Sequence, residues 1–116
     1  MSNVDTRQAL ADAASSVEGV SCSPYFTQTT RAGDAMVRLD HVDYPNPFGG
    51  VVTWQVAVVL PQDTGLAERF TDSHVPALVA ALGEQMVVQR VTPAQLALET
   101  GSLPVLFIEG IREENS

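Results

Sequence analysis

Residues 51–60 read VVTWQVAVVL, and this stretch decides the fold class because it is β-branched and apolar on both faces. Such a pattern is typical of a central strand that is covered on at least one side of its sheet. The strongest breaker in the chain, PNPFGG at residues 45–50, comes directly before it. We therefore expect a sheet built around residues 51–60.

Upstream of this strand, the pattern predicts a helix and a first strand. Residues 5–17 carry apolar, alanine-rich positions at helical spacing; Asp5 is a suitable N-cap, and Gly19 can end the helix. Residues 20–28 are strand-like but contain Pro24, which cannot donate a ladder hydrogen bond. We expect this strand at an edge of the sheet or with a bulge.

A second strand is predicted at residues 35–44, where neither face is cleanly apolar, so it should be partly exposed. Strict alternation places Asp40 and His41 on opposite faces, which prevents direct cooperation between them. Asp43 shares a face with His41 and could orient its ring. The two faces are expected to be Met36, Arg38, Asp40 and Val42 on one side, and Val37, Leu39, His41 and Asp43 on the other.

A helical region follows the central strand, beginning at residues 61–65 and ending at Gly83. Pro76 conflicts with one unbroken helix, because proline removes a hydrogen bond and clashes with the preceding turn. Two solutions remain open. Ser73 can cap a second helical segment, or a single helix can kink.

The last third of the chain predicts a C-terminal hairpin. Residues 86–92 and 95–100 are strand-like and separated by Pro93, residues 103–111 form a further strand, and residues 112–116 are a polar tail. The whole chain, residues 1–116, is expected to be one α+β domain. Its architecture is predicted as a single mainly antiparallel sheet with two helices packed on one face and the C-terminal β-hairpin.

The charge and composition of the chain argue against several classes of function. The formal charge is −8, from 14 acidic and 6 basic residues, so the surface should repel phosphate. We expect no sequence-specific nucleic acid binding. The single cysteine, Cys22, excludes an internal disulfide and is expected to be a small buried hydrophobe. No apolar run approaches the ~20 residues of a membrane span, and no signal peptide is recognisable at the start.

Candidate catalytic and metal sites are weak. His41 and His74 are the only histidines, and they lie on different predicted elements without a metal-ligand spacing. Gly49 and Gly50 precede a strand, not a helix N-terminus, so a phosphate-binding loop is not indicated. We therefore predict a protein that is not an enzyme and that needs no catalytic residue, metal or cofactor.

The best interaction candidate is the segment at residues 44–50. It carries Tyr44, Pro45, Pro47 and Phe48, in which prolines stiffen a loop that presents two aromatic side chains. A stiff loop loses little entropy on docking, and aromatic residues are favoured interface anchors. The alternative is a hairpin connection whose aromatic side chains fold back onto the core.

Several longer stretches resemble one known family. They are an alanine-rich opening helix, the strand TWQVAVVLPQD that leads into a helix, AERFTDSHVPALVAAL within that helix, and the late segment VTPAQLALETGSLPVLFIEG. Together, from Thr6 to Arg112, they resemble the tail terminator proteins of long-tailed, non-contractile (siphovirus-type) phages, in the forms found in phages of actinobacteria. The likeness rests on pattern and order, not on a catalytic motif.

The resemblance implies a small structural virion subunit, located in the tail or neck and assembled in the host cytoplasm. It implies a homo-hexameric ring that caps the completed tail tube, ends tube polymerisation and offers a surface for joining the head. Its partners would be the tail tube protein and a head-completion or connector protein, with DNA passing through the ring. Two alternatives stay open: another neck or head–tail connector protein, and an acidic immunity-type protein that inhibits a basic enzyme.

Overall fold

The computed structural model describes residues 3–27, 29–46, 49–99 and 101–115 of the chain. Within these ranges the elements follow the predicted order of one helix, three strands, a second helix and a hairpin. They are α1 (Asn3–Ser15), β1 (Ser21–Ser23), β2 (Asp34–Asn46), β3 (Gly49–Val59), α2 (Thr64–Leu82), β4 (Val87–Leu98) and β5 (Gly101–Asn115).

The strands form one sheet in the order β1-β2-β3-β5-β4, which confirms the central position of the VVTWQVAVVL segment. β2, β3, β5 and β4 pair antiparallel, and the short β1 pairs parallel with the start of β2. β1 lies at an edge, as Pro24 indicated, but it has only 3 residues. The predicted α+β class with a mainly antiparallel sheet and a C-terminal hairpin is thus confirmed.

Both helices cover the same face of the sheet. The buried helix side chains are mostly small or leucine, which lets α1 and α2 approach the strands closely. They pack in one cluster with strand residues that alternate along β2, β3 and β5. The fully buried members include Leu10, Ala14, Leu78 and Leu82 from the helices, and Val37, Trp54, Val56, Val58 and Ile108 from the strands. Neither described helix has the length and hydropathy needed to cross a membrane.

Two prolines that were expected to interrupt an element, Pro76 and Pro93, lie inside a continuous helix and a continuous strand. α2 is one helix with Pro76 inside it, and the hydroxyl of Ser73 donates to the carbonyl of Phe70 in the preceding turn, so Ser73 is not an N-cap. The cap is Asp63, whose side chain accepts from the backbone N–H of Leu66. β4 likewise runs through Pro93, because β4 is an edge strand and needs no donor on its open side.

Three predicted boundaries were wrong. Asp5 lies in the first turn of α1, not at its cap, since the helix already begins at Asn3. Residues 24–27 leave the sheet, so the first strand is shorter than predicted. The polar residues 112–115 belong to β5, because the register from Arg112↔Val52 to Asn115↔Gly49 adds them to the edge of β3.

A bulge in β2 changes which side chains share a face. Leu39 lies opposite Trp54 and His41 lies opposite Thr53, so Asp40 is the extra residue between them. Beyond the bulge the alternation is inverted. Val42 therefore packs on the helix side with Val37 and Leu39, and the strict alternation expected for residues 35–44 is wrong after residue 39.

Candidate interaction surface

The face of the sheet opposite the helices is the main candidate surface, and we call it the outer face. Side chains directly opposite one another in an antiparallel pair lie on the same face, so the register gives its composition. Rows of side chains cross the strands from the β4–β5 hairpin towards the β2–β3 hairpin. Along this direction the outer face changes from apolar, through a charged belt, to acidic.

The apolar end is a second small core made only of strand residues. Met36, Ala57, Val59 and Val105 have no exposed surface, and Leu103 is 1% exposed. Ala94, Leu96 and Phe107 pack against them and are only partly buried. The guanidinium of Arg38 lies 5.5 Å from the centre of the Phe107 ring, so this arginine partly covers the apolar end.

A belt of polar side chains comes next. Arg38 pairs with Gln55, Gln55 with Glu109 and Glu109 with Arg90, so one row crosses four strands. The Glu109 carboxylate accepts from Nε2 of Gln55 at 3.1 Å and from Nε and Nη2 of Arg90 at 3.2 and 3.1 Å. Its side chain is only 14% exposed, so these bonds compensate for a carboxylate that has lost most of its water.

The acidic end begins at the bulge. Nδ1 of His41 lies 2.6 Å from Oδ2 of Asp40, and Nε2 lies 3.3 Å from Oδ2 of Asp43. The expectation that Asp40 and His41 cannot cooperate was therefore wrong, because the bulge turns both side chains to one side. The hydrogen bond to Asp40, followed by the charges of both carboxylates, raises the pKa of His41 above its usual value. One row further on, Asp43 and Glu113 flank Val51 on the same face, and both are exposed.

A hydroxyl, an imidazole and a carboxylate are linked in this cluster, as in a hydrolase triad. Oγ1 of Thr53 lies 3.3 Å from Nε2 of His41, whose Nδ1 meets Asp40. The arrangement is unsuited to acyl transfer. Thr53 is 4% exposed and sits inside the sheet ladder, so its own backbone N–H is not free to stabilise an oxyanion, and Asp43 competes for the same imidazole nitrogen. The linkage fits a structural role for Thr53 better than a nucleophilic one.

The predicted interface residues divide between two places. Tyr44 and Pro45 are exposed and lie within β2, not in a loop. Tyr44 is 75% exposed, and one edge of its ring lies over Gly50, where an added Cβ would come within 3.1 Å of Cε1. Pro47 and Phe48 lie outside the described residues. The interface role of these residues stays a prediction.

The other two side chains that could take part in chemistry, Cys22 and His74, lie among packing contacts and not beside His41. Burial raises the pKa of the Cys22 thiol to about 12, so it is protonated and a poor nucleophile near neutral pH. His74 lies on α2, stacked on Phe70 with ring centres 3.9 Å apart, on the helix side of the sheet and away from His41. Among the described residues, no group of three or more histidine, cysteine, aspartate or glutamate side chains could hold a metal ion.

Sequence reasoning missed the charged belt and the partnership of Asp40 with His41. The belt depends on pairing between residues far apart in the chain, so no local pattern reveals it. The bulge has no signal of its own within residues 38–42, which read RLDHV. The absence of a clean apolar face in residues 35–44 was the one available indication that the strand is irregular.

In comparisons with known proteins, no family model matches this chain. No curated protein matches it either.

Proposed function

We propose that this chain is a structural virion protein that forms a ring on the completed tail tube of a long-tailed, non-contractile phage. The ring would stop tube polymerisation and provide the surface that joins the head. The proposal starts from the family resemblance of residues 6–112. The proposed role requires the protein to assemble and to bind its partners, and it requires no catalysed reaction.

The observation that supports the proposal best is the outer face. The described helices α1 and α2 both pack on the opposite side, so this face is left for other contacts. Its partly buried Phe107 and Leu96 offer apolar contact to protein, whereas Asp43 and Glu113 keep the other end negative. A ring through which DNA moves needs both properties, because a negative lining does not trap phosphate.

The direct test is assembly with the tube protein. We expect native mass spectrometry to show a hexamer, either for the purified chain or after addition of tail tubes. Electron microscopy should show a ring at one end of each tube, and tubes assembled with the protein should stop growing. A protein that stays monomeric in the presence of tube ends, and leaves tube growth unchanged, would exclude the proposed function.

The ring's relation to DNA gives a second test. The purified assembly should not retain duplex DNA at physiological salt, because 14 acidic residues face only 6 arginines in each subunit. Retention of DNA by the isolated subunit would contradict the proposal.

A tail terminator and another neck connector differ in the partner that binds first: the tube protein for a terminator, and the head-side proteins for a connector.

A second function is favoured by the acidic end of the outer face. Asp40, Asp43 and Glu113 could meet a basic enzyme, as an immunity-type inhibitor does. Such a protein would form a one-to-one complex whose association rate falls steeply with salt. A binding measurement against a basic nuclease at low and high salt separates this function from ring formation.

A further inference from the structure

We propose that the open edge of β2, from Val37 to Tyr44, binds an extended segment of another protein in which arginine or lysine alternates with apolar residues. The segment would add a strand to the sheet on the side of β2 where β1 ends. This inference goes beyond the proposed ring, which does not require it.

Most of one side of β2 has no strand beside it among the described residues. β1 is 3 residues long and its pairing with β2 ends at Ser23↔Met36, whereas β2 continues to Asn46. Directly after this point, Nη1 of Arg7 donates to the carbonyl of Val37 at 3.2 Å, so a side chain takes the place of a neighbouring strand. The open edge begins there.

This edge offers backbone donors and acceptors to an added strand. The carbonyl of Val37 faces away from β3, and alternate residues of a strand face the same neighbour, so the backbone of Leu39 also faces the open side. The bulge at Asp40 shifts the alternation by one residue, which turns the backbone of Val42 to that side as well. Within the described residues, no turn, loop or side-chain group bonds to the N–H or C=O of Leu39 or Val42. Such groups are what a sheet edge presents to an extended peptide.

The side chains along the open edge set the chemistry of the segment, because side chains that lie side by side on neighbouring strands share a face. On the outer face the edge carries Asp40 and Asp43, whose side chains are 39% and 70% exposed. On the helix side it carries Leu39 and Val42, which are partly buried, and Tyr44, which is 75% exposed. Successive side chains of a strand point to opposite faces, so a segment that alternates cationic and apolar residues matches both faces.

The cations near the open edge leave it negative. Arg7 is bound to backbone carbonyls, and Arg38 leans over an aromatic ring of β5. His41 lies between the two aspartates, with Nδ1 2.6 Å from Oδ2 of Asp40 and Nε2 3.3 Å from Oδ2 of Asp43. Even with a protonated imidazole, these three side chains together keep a negative charge. An incoming arginine or lysine is therefore attracted to this position.

The other edge of the sheet is less suited to strand addition. β4 carries Pro93, which lacks the N–H that a new strand would use, and a register shift at Gln89. Proline and bulges are the features that block pairing at sheet edges. A second copy of this chain is for the same reason an unsuitable occupant of the open edge, since its opposite edge strand is β4 and its net charge is −8.

The direct test uses a synthetic peptide of about eight residues, the length of the open edge, in which arginine and valine alternate. The peptide is titrated into ¹⁵N-labelled protein at physiological salt. We expect a Kd below about 1 mM, the largest chemical-shift changes at the amides of Leu39 and Val42, and slower hydrogen exchange at both. Absence of binding, or binding that leaves these two amides unchanged, overturns the inference.

N-methylated peptides separate strand addition from simple attraction of opposite charges. N-methylation of all valines or of all arginines keeps the charge of the peptide. Only one of the two peptides should lose binding, because only alternate residues of a strand bond to a given neighbour. If both bind as tightly as the parent peptide, the backbone of the open edge is not involved and the inference is wrong.

Variants of the protein test the charges. Asp40→Asn together with Asp43→Asn should raise the Kd of the peptide at least about tenfold, and Asp43→Asn alone, which leaves the contact of Asp40 with His41 in place, should raise it as well. Asp72→Asn together with Glu84→Gln removes the same charge elsewhere and should change the Kd less than about twofold. Equal effects of the two double variants would show attraction by net charge alone and overturn the inference. Circular dichroism checks that every variant is folded.

The result can be told apart from that for the proposed function. If ring assembly without peptide already slows exchange at Leu39 and Val42, a second copy occupies the open edge, so this inference is wrong and the ring stands. If the peptide binds as expected while the protein stays monomeric with tail tubes, this inference stands and the proposed function fails.

Discussion

The side chain of Trp54 offers a quantitative test of the core. It is fully buried on the helix side of β3, with the guanidinium of Arg7 5.3 Å from its ring centre. Its Nε1 is buried and has no hydrogen-bond partner among the described residues. Replacing Trp54 with phenylalanine leaves a cavity, at a cost of roughly 2 kcal/mol, given that complete truncation of a buried aromatic costs about 3–5 kcal/mol.

The same replacement removes a buried donor without a partner, whose burial costs roughly 1–3 kcal/mol. The two effects oppose each other. We therefore expect Trp54→Phe to lower the free energy of unfolding by less than about 1 kcal/mol. Trp54→Leu removes the donor too but leaves a larger cavity and loses the contact of the ring with Arg7. It should lower the free energy of unfolding by about 3 kcal/mol.

The assay is urea unfolding followed by far-ultraviolet circular dichroism, because both variants remove the only tryptophan. The reasoning is refuted if Trp54→Phe costs as much as Trp54→Leu. In that case Nε1 must donate a hydrogen bond in solution, for example to an internal water, and the phenylalanine variant would lose that bond as well.

Three further predictions concern single contacts. Asp63→Ala should lower the free energy of unfolding by about 1 kcal/mol, because the N–H of Leu66 loses its cap, and urea titration measures this; an unchanged midpoint would show that another group caps α2. The thiol of Cys22 is partly buried and its pKa is raised to about 12, so at neutral pH it should react with an aromatic disulfide reagent much more slowly than a free cysteine; labelling at the rate of a free cysteine would contradict the raised pKa. The imidazole of His41 should titrate above pH 6.5 by NMR, and Asp40→Asn should move its pKa back towards 6.5. Because the folded-state pKa is raised, this contact stabilises the fold fully at pH values below the unfolded-state pKa, and the stabilisation is lost as the pH rises through the folded-state pKa. If His41 has the same pKa in the wild type and in Asp40→Asn, the contact between His41 and Asp40 does not form in solution.

The central strand and the order of elements were predictable because they depend on local patterns. The segment around Trp54 is apolar on both faces, and that requires cover on at least one side whatever its neighbours are. Helix boundaries were less accurate, since Asp5 and Ser73 both fit a capping pattern, yet α1 already begins at Asn3 and Ser73 lies inside α2. Pro76 illustrates why: the penalty of one proline in a helix is about 3 kcal/mol, which burial of side chains such as Leu78 and Leu82 can offset.

The candidate surface could be predicted only in part. The predicted strand ended at Tyr44 and the loop was expected from there, whereas β2 continues through Pro45. Exposure of the Tyr44 side chain and its folding back onto the core were both left open, and the structure shows it exposed. The belt through Glu109 and Arg90 requires knowledge of which strands are neighbours, and the order β3-β5-β4 cannot be derived from local periodicity.

The position of β5 between β3 and β4 has a consequence for the timing of folding during synthesis. Trp54 cannot meet its neighbour Gly110 until the ribosome has made the intervening chain, which takes roughly 3–11 s at about 5–20 residues per second. Until then one long edge of β3 is unpaired and can associate with other nascent chains. Polysomes that translate this message should therefore hold a pool of incomplete sheets, whose protection by a chaperone would limit the yield of finished subunits.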